Sequence, residues 1–191
     1  MSPRELIEIL HVTEKLKCAT RHADTSSGRR ESVAEHSWRL ALMAMLLTDE
    51  FPMLDMDRVI RMCLIHDLGE AFTGDIPCFQ KNEADSFRED RLLVEWVEEF
   101  PEPARSEFLG LFREMQALDT QEARLYKALD KLEAVLQHDE GDIASWLPLE
   151  YELQYTHGAE DVKFSPYLVR LKQELDALTS AKIAEKHTQA D

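Results

Sequence analysis

Residues that punctuate β structure are scarce in this sequence: it has six glycines in 191 residues and no convincing period-two apolar run bounded by hairpin turns. A mostly helical chain is therefore expected. Three cysteines, Cys18, Cys63 and Cys78, form an odd set without CxxC spacing. This excludes a disulfide framework and a zinc-finger ligand set, and predicts reduced thiols. No apolar stretch approaches the roughly 18 residues of a membrane span, and Met1-Ser2-Pro3-Arg4-Glu5 does not read as a secretory leader. A soluble, cytoplasmic protein is expected. Basic residues are outnumbered, 22 Lys and Arg against 38 Asp and Glu, for a net charge of -16. Such a field repels nucleic-acid polymers and anionic membranes. Small phosphorylated substrates stay open, because a local basic patch or a bound cation reverses the field at one site.

Hydrophobic residues at 44% and charged residues at 31% are ordinary for a globular chain. A domain of this length buries roughly 70% of its unfolded surface, so no covalent staple is needed. Without internal repeats, low-complexity tracts or a long Pro/Gly/Ser linker, one domain over residues 1–191 is the expectation. Ser2-Pro3 reads as a helix start leading to about Thr20, and residues 21–31 read as a loop. Ser32 with Glu35 forms a capping box for a helix carrying Val33, Leu40, Met43 and Leu47 on one face. Further helices are expected near 56–71, 83–99, 102–118 and 121–139, and from Ser165-Pro166 to about Lys186. Residues 146–157 fit a short helix or a loop equally well.

Against this background a few polar residues sit where hydrophobes belong. His36 interrupts the Val33, Leu40, Met43, Leu47 stripe, and His66 continues Val59, Met62 and Cys63, with Asp67 directly after it. Asp130 adjoins the ladder Leu125, Leu129, Leu132 and Leu136. A buried carboxylate without a partner is costly. One divalent cation satisfies all four residues together, since imidazoles and carboxylates suit Mn, Fe, Co, Ni and Zn. Trp38 and Trp96 follow apolar helical patterns and read as core.

The order of these residues, a lone His, then His-Asp on the next helix, then a distant Asp, resembles the HD superfamily of metal-dependent phosphohydrolases. The likeness runs over about residues 15–140, leaving 141–187 as a C-terminal helical extension of an all-α, compact HD-domain bundle. It is closest to the small HD-domain 5'-deoxynucleotidases, through Glu35-His36-Ser37, His66-Asp67-Leu68-Gly69-Glu70, Thr73-Gly74-Asp75-Ile76-Pro77 and Asp130 within Ala128-Leu129-Asp130-Lys131-Leu132-Glu133. The resemblance implies His36, His66, Asp67 and Asp130 as ligands of one divalent metal ion. It implies Glu70, Asp75 and Asp67 as catalytic, and Arg21, His22 and Asp75 as substrate-binding. Those enzymes carry an Arg fifteen positions before the first ligand His, where Arg21 stands. In well-studied members a Trp that helps select deoxyribose follows it, and here the residue is His22. Lys17, Arg29 and Arg30 make the same stretch locally basic.

The implied function is metal-dependent hydrolysis of a phosphate monoester, foremost a (deoxy)nucleoside 5'-monophosphate, with another small phosphate ester as the alternative. A di-iron HD-type oxygenase is disfavoured, because no histidine lies between Asp67 and Asp130 to hold a second ion. A non-catalytic helical protein that keeps its metal only to fold is disfavoured by the presence of Arg21, Glu70 and Asp75. Small HD proteins commonly pair, so homodimerisation is open to this chain, but no pattern marks an interface.

Overall fold

The structure, a computed structural model, describes residues 1–189. Helix α1 (Pro3–Thr13) opens with a full capping box, Ser2 accepting from the Glu5 amide while the Glu5 carboxylate accepts from the Ser2 amide. It ends earlier than its sequence pattern suggests. A tight turn over 14–17 follows, and the chain then enters strand β1 (Thr20–Asp24), which pairs antiparallel with β2 (Arg30–Ser32). The expected loop is thus a small hairpin. Its turn, where the Thr25 amide donates to the Arg29 carbonyl at 2.7 Å, uses Gly28 at a φ of 80°. The strands are too short and irregular in register to show a period of two.

Ser32 and Glu35 form the expected capping box of α2 (Val33–Leu46). Helix α3 (Met56–Ile65) stops six residues before its apolar pattern does. Residues 66–69 form a tight turn, with the Leu68 amide donating to the Ile65 carbonyl and the Glu70 amide to that of Asp67, before the single turn α4 (Glu70–Thr73). Gly74, at a φ of 73°, ends α4 and admits the irregular segment carrying Asp75. Then come α5 (Glu83–Glu98), α6 (Ala104–Ala117), α7 (Gln121–Glu140), the short α8 (Glu150–Thr156) and α9 (Pro166–Gln189). The two-strand hairpin apart, the architecture is all-α.

Helix α7 is the axis of the bundle. It packs against α2, α3, α6, α9 and β1, and buries Leu125, Leu129, Leu132 and Val135 in a core shared with Val33, Leu40, Val59, Met62 and Leu168. The hairpin is pinned to α7's end, where the Gln137 amide donates to the Asp24 carbonyl at 2.8 Å. Gly141 lies so close that a Cβ there would sit 2.8 Å from the same carbonyl oxygen. Trp96 packs on the core as expected, whereas Trp38 lies on the outer face of α2, 62% exposed beside exposed Met45 and Leu46. The cysteines are free, Cys63 buried and the others exposed. Among the described residues no helix is long and apolar enough to cross a membrane.

Candidate active site

Helices α2, α3 and α7 and the turn that follows α3 deliver polar side chains to one point. His36 faces inward from the second turn of α2 and is fully buried. His66 caps α3, its Nδ1 donating to the Cys63 carbonyl at 2.9 Å, which leaves Nε2 directed elsewhere. That nitrogen lies 2.9 Å from Asp67 Oδ2 and 3.5 Å from Asp130 Oδ1. His36 Nε2 lies 3.2 Å from the same Asp130 oxygen and 3.9 Å from Asp67 Oδ2. The early end of α3 is what turns Asp67 back toward its neighbour.

Donor atoms of His36, His66 and Asp67 all fall within 4.8 Å of one another, and Asp130 closes the group through its contacts with both imidazoles. His66 Nε2 is buried and lacks an aligned hydrogen-bond partner within the protein. Two imidazole nitrogens and two carboxylates around an orphaned donor atom fit a divalent cation. Electrostatics agree. Burial opposes charge on His66, but Asp67 and Asp130 outweigh it and push its pKa up to about 10; His36 is raised too. The carboxylates of Asp67 and Asp130 are held below the ordinary range despite their burial. Protons thus occupy a nest of negative potential that a metal competes for.

Asp67 and Asp130 open onto a cavity of about 280 Å³ that is also lined by Arg21, His22, Glu70 and Asp75. Arg21 reaches in from β1, with Nη1 3.7 Å from Asp67 Oδ2 and Nε 3.2 Å from Glu31 Oε2. Glu70 is buried on α4, and burial together with Asp67 and Asp75 raises its pKa to about 9. Asp75 is raised by burial, against the pull of Arg21. All seven residues read from the sequence, and His22 with them, therefore meet around one cavity or directly behind it. Lys17, Arg29 and Arg30 do not. Arg29 pairs with Glu35 at 2.5 Å and Arg30 with Asp24 at 3.4 Å, outside the cavity.

The family model described as HD domain matches residues 13–171. The chain belongs to the HD domain family. The 5'-deoxynucleotidase HDDC2 of Homo sapiens is 32% identical over 186 residues, covering 95% of this chain and 89% of that protein. The corresponding protein of Mus musculus is 34% identical over 157 residues, 81% of this chain and 77% of its own. Among solved structures, a predicted metal-dependent phosphohydrolase from Magnetospirillum magnetotacticum superposes with a TM-score of 0.80 at 28% identity, covering 95% and 92% of the two chains.

Around the HD residues stand groups that sequence patterns passed over or left without a role. Glu133, one turn beyond Asp130, is fully buried and hydrogen-bonds His36 Nδ1; its other oxygen accepts from Arg39 Nε at 2.5 Å. Its place in the Leu129, Leu132, Leu136 ladder was the available signal. Lys127 Nζ sits 2.8 Å from Asp130 Oδ2, at a helical spacing of three. Glu31, buried behind Arg21, has its pKa raised to about 7 by burial and by Glu133, with Arg21 pulling the other way. Nothing local distinguishes Glu31 from a solvent-exposed acid beside an N-cap.

Proposed function

We propose that this HD domain protein is a metal-dependent phosphomonoester hydrolase that converts nucleoside 5'-monophosphates, deoxynucleotides foremost, to nucleoside and phosphate. The single observation that carries this reading is the convergence of two imidazoles and two carboxylates at the floor of a cavity whose wall holds a half-buried arginine. The names borne by the Homo sapiens and Mus musculus relatives support it.

His36, His66, Asp67 and Asp130 would hold the ion, and their donor set accepts Mn, Fe, Co, Ni or Zn. A divalent cation bound there supplies Lewis acidity toward a phosphoryl oxygen and eases deprotonation of water. The protein's own groups do the rest. Arg21 offers a guanidinium fork to the phosphate, its charge kept in place by Glu31. Glu70, buried beside Asp67, is placed to move a proton between water and the departing oxygen. Asp75 accepts a hydrogen bond from a sugar hydroxyl. Lys127 neutralises the outer oxygen of Asp130. Exposed Trp38, Met45 and Leu46 on α2 support a homodimer through that face.

The test is phosphate release from deoxynucleoside and nucleoside 5'-monophosphates with Mn, Fe, Co, Ni, Zn or chelator, using wild type and Asp67→Ala. Metal-dependent release that the substitution abolishes is expected. Release that persists in chelator, or in Asp67→Ala, overturns the assignment.

A further inference from the structure

The cavity extends well beyond the HD cluster, and its far end has a chemistry of its own. Helix α7 forms one side. Asp130, Ala134 and His138 recur at four-residue spacing and all line the cavity, so this face runs about 12 Å from the ligand cluster at 1.5 Å per residue. Ala134, the small residue between, leaves space in the middle. At the far end His138 meets Glu150 of α8 and His22 of β1.

Glu150 is buried, and one of its oxygens accepts from the Leu147 amide at 2.6 Å. Its other oxygen lies 3.1 Å from His22 Nε2 and 3.3 Å from His138 Nε2. The two imidazole planes are 22° apart. Phe79 meets His22 edge-on at 5.5 Å between centroids, and Trp146 backs His138 at 4.8 Å. His22 Nε2 lacks an aligned hydrogen-bond partner, and His138 Nδ1 has none at all, although both atoms are buried. Buried polar atoms ordinarily have partners, and a concave cavity with a few convergent polar groups in its wall is the usual form of a small-molecule site.

Resting on the nucleotidase reading above, we infer that His22, His138 and Glu150 form a subsite for the nucleobase of the substrate. A base fits this end: it has a flat face to lie against the rings and an edge with donors and acceptors for the polar groups that line the cavity. With phosphate at Arg21 and the cation site, the pentose falls beside Ala134 and the base reaches His138. His22 thus serves the leaving group and not the phosphate, although it follows Arg21 directly in sequence.

The experiment compares kcat/KM for deoxyadenosine 5'-monophosphate with that for 2-deoxyribose 5-phosphate, which has the sugar and phosphate but no base. Wild type is expected to prefer the nucleotide at least tenfold. His138→Phe and Glu150→Gln are each expected to cut that ratio about tenfold, chiefly through KM for the nucleotide, and to weaken competitive inhibition by free deoxyadenosine in step. Being a ratio on one folded enzyme, this readout is insensitive to partial loss of active protein. His22→Phe, on a less buried side chain, provides the same comparison should either α7 or α8 substitution fail to fold. A wild-type ratio near one, or variants that lose both activities in equal proportion, overturns the subsite while leaving the phosphomonoesterase standing. Release from 2-deoxyribose 5-phosphate but from no nucleotide removes the nucleotidase reading and the subsite with it.

Discussion

Glu133 holds the His36 ring from behind: its carboxylate bonds Nδ1, so that Nε2 is the nitrogen presented to Asp67 and Asp130. Arg39 bonds the other Glu133 oxygen and reaches on to Glu140, both at 2.5 Å, so the chain of contacts ends at the protein surface. A carboxylate in this position fixes the tautomer and orientation of a ligating imidazole and makes it more basic. Glu133→Gln keeps the shape but removes the charge. We expect metal affinity to fall about 10- to 100-fold, measured by titrating metal into apo-protein, with the helical circular dichroism spectrum retained. Unchanged affinity would show that packing alone orients His36.

Metal removal should register as lost stability. A ligand at a hundred times its Kd stabilises the folded state by about 2.7 kcal/mol, and a domain of this size gains roughly 2–4 °C in Tm per kcal/mol. Adding saturating Mn or Zn to chelated protein is therefore expected to raise Tm by about 5–11 °C. Asp67→Ala removes an oxygen that lies within 3.9 Å of both imidazoles, and its Tm should not respond to metal. A metal-induced rise of the same size in that variant would place the ion elsewhere.

Arg21 is a half-buried cation of the cavity wall, and its pKa is raised by Asp67, Glu133 and Glu31 against the cost of burial. Charge-assisted hydrogen bonds are worth about 1.5–3 kcal/mol. Arg21→Ala should accordingly lower kcat/KM for a phosphate ester by about 10- to 100-fold. Arg21→Lys should recover only part of this, since a point charge cannot reproduce the planar fork. Full activity in the lysine variant would reduce the role of Arg21 to net charge.

Much of this site could be read from the chain because its residues break a helical pattern. His36 and His66 stand where the period of the helix demands a hydrophobe and Asp130 adjoins an apolar ladder, and the structure buries or half-buries each of them. The hairpin was illegible for the converse reason: Thr20–Asp24 is short, polar and irregular in register, and its shape comes from pinning to α7. The break at residues 66–69 was hidden because an apolar helical pattern continues through a tight turn unchanged. Glu150 and His138 are twelve residues apart and belong to different helices, and only the tertiary fold brings them to His22. Trp38 misled because periodicity counts an aromatic as core, whereas the outer face of α2 leaves it exposed.

The attachment of the hairpin to α7 gives the last prediction. Gly141 ends α7 beside Asp24, and an alanine methyl would meet the Asp24 carbonyl oxygen at 2.8 Å, a backbone contact that cannot swing aside. Overpacking of this kind costs about 1–3 kcal/mol, so Gly141→Ala should lower Tm by roughly 2–12 °C. Gly110 provides the control. It lies within α6 with nothing within 4 Å of an added Cβ, and Gly110→Ala should stabilise by about 0.4–1 kcal/mol through the unfolded chain. Because β1 carries Arg21 and His22, the Gly141 variant should also raise KM for the phosphate ester, whereas the Gly110 variant should not. A Gly141→Ala protein with wild-type Tm and KM would show that the hairpin moves freely over the end of α7, and that the wall of the site is not fixed by this contact.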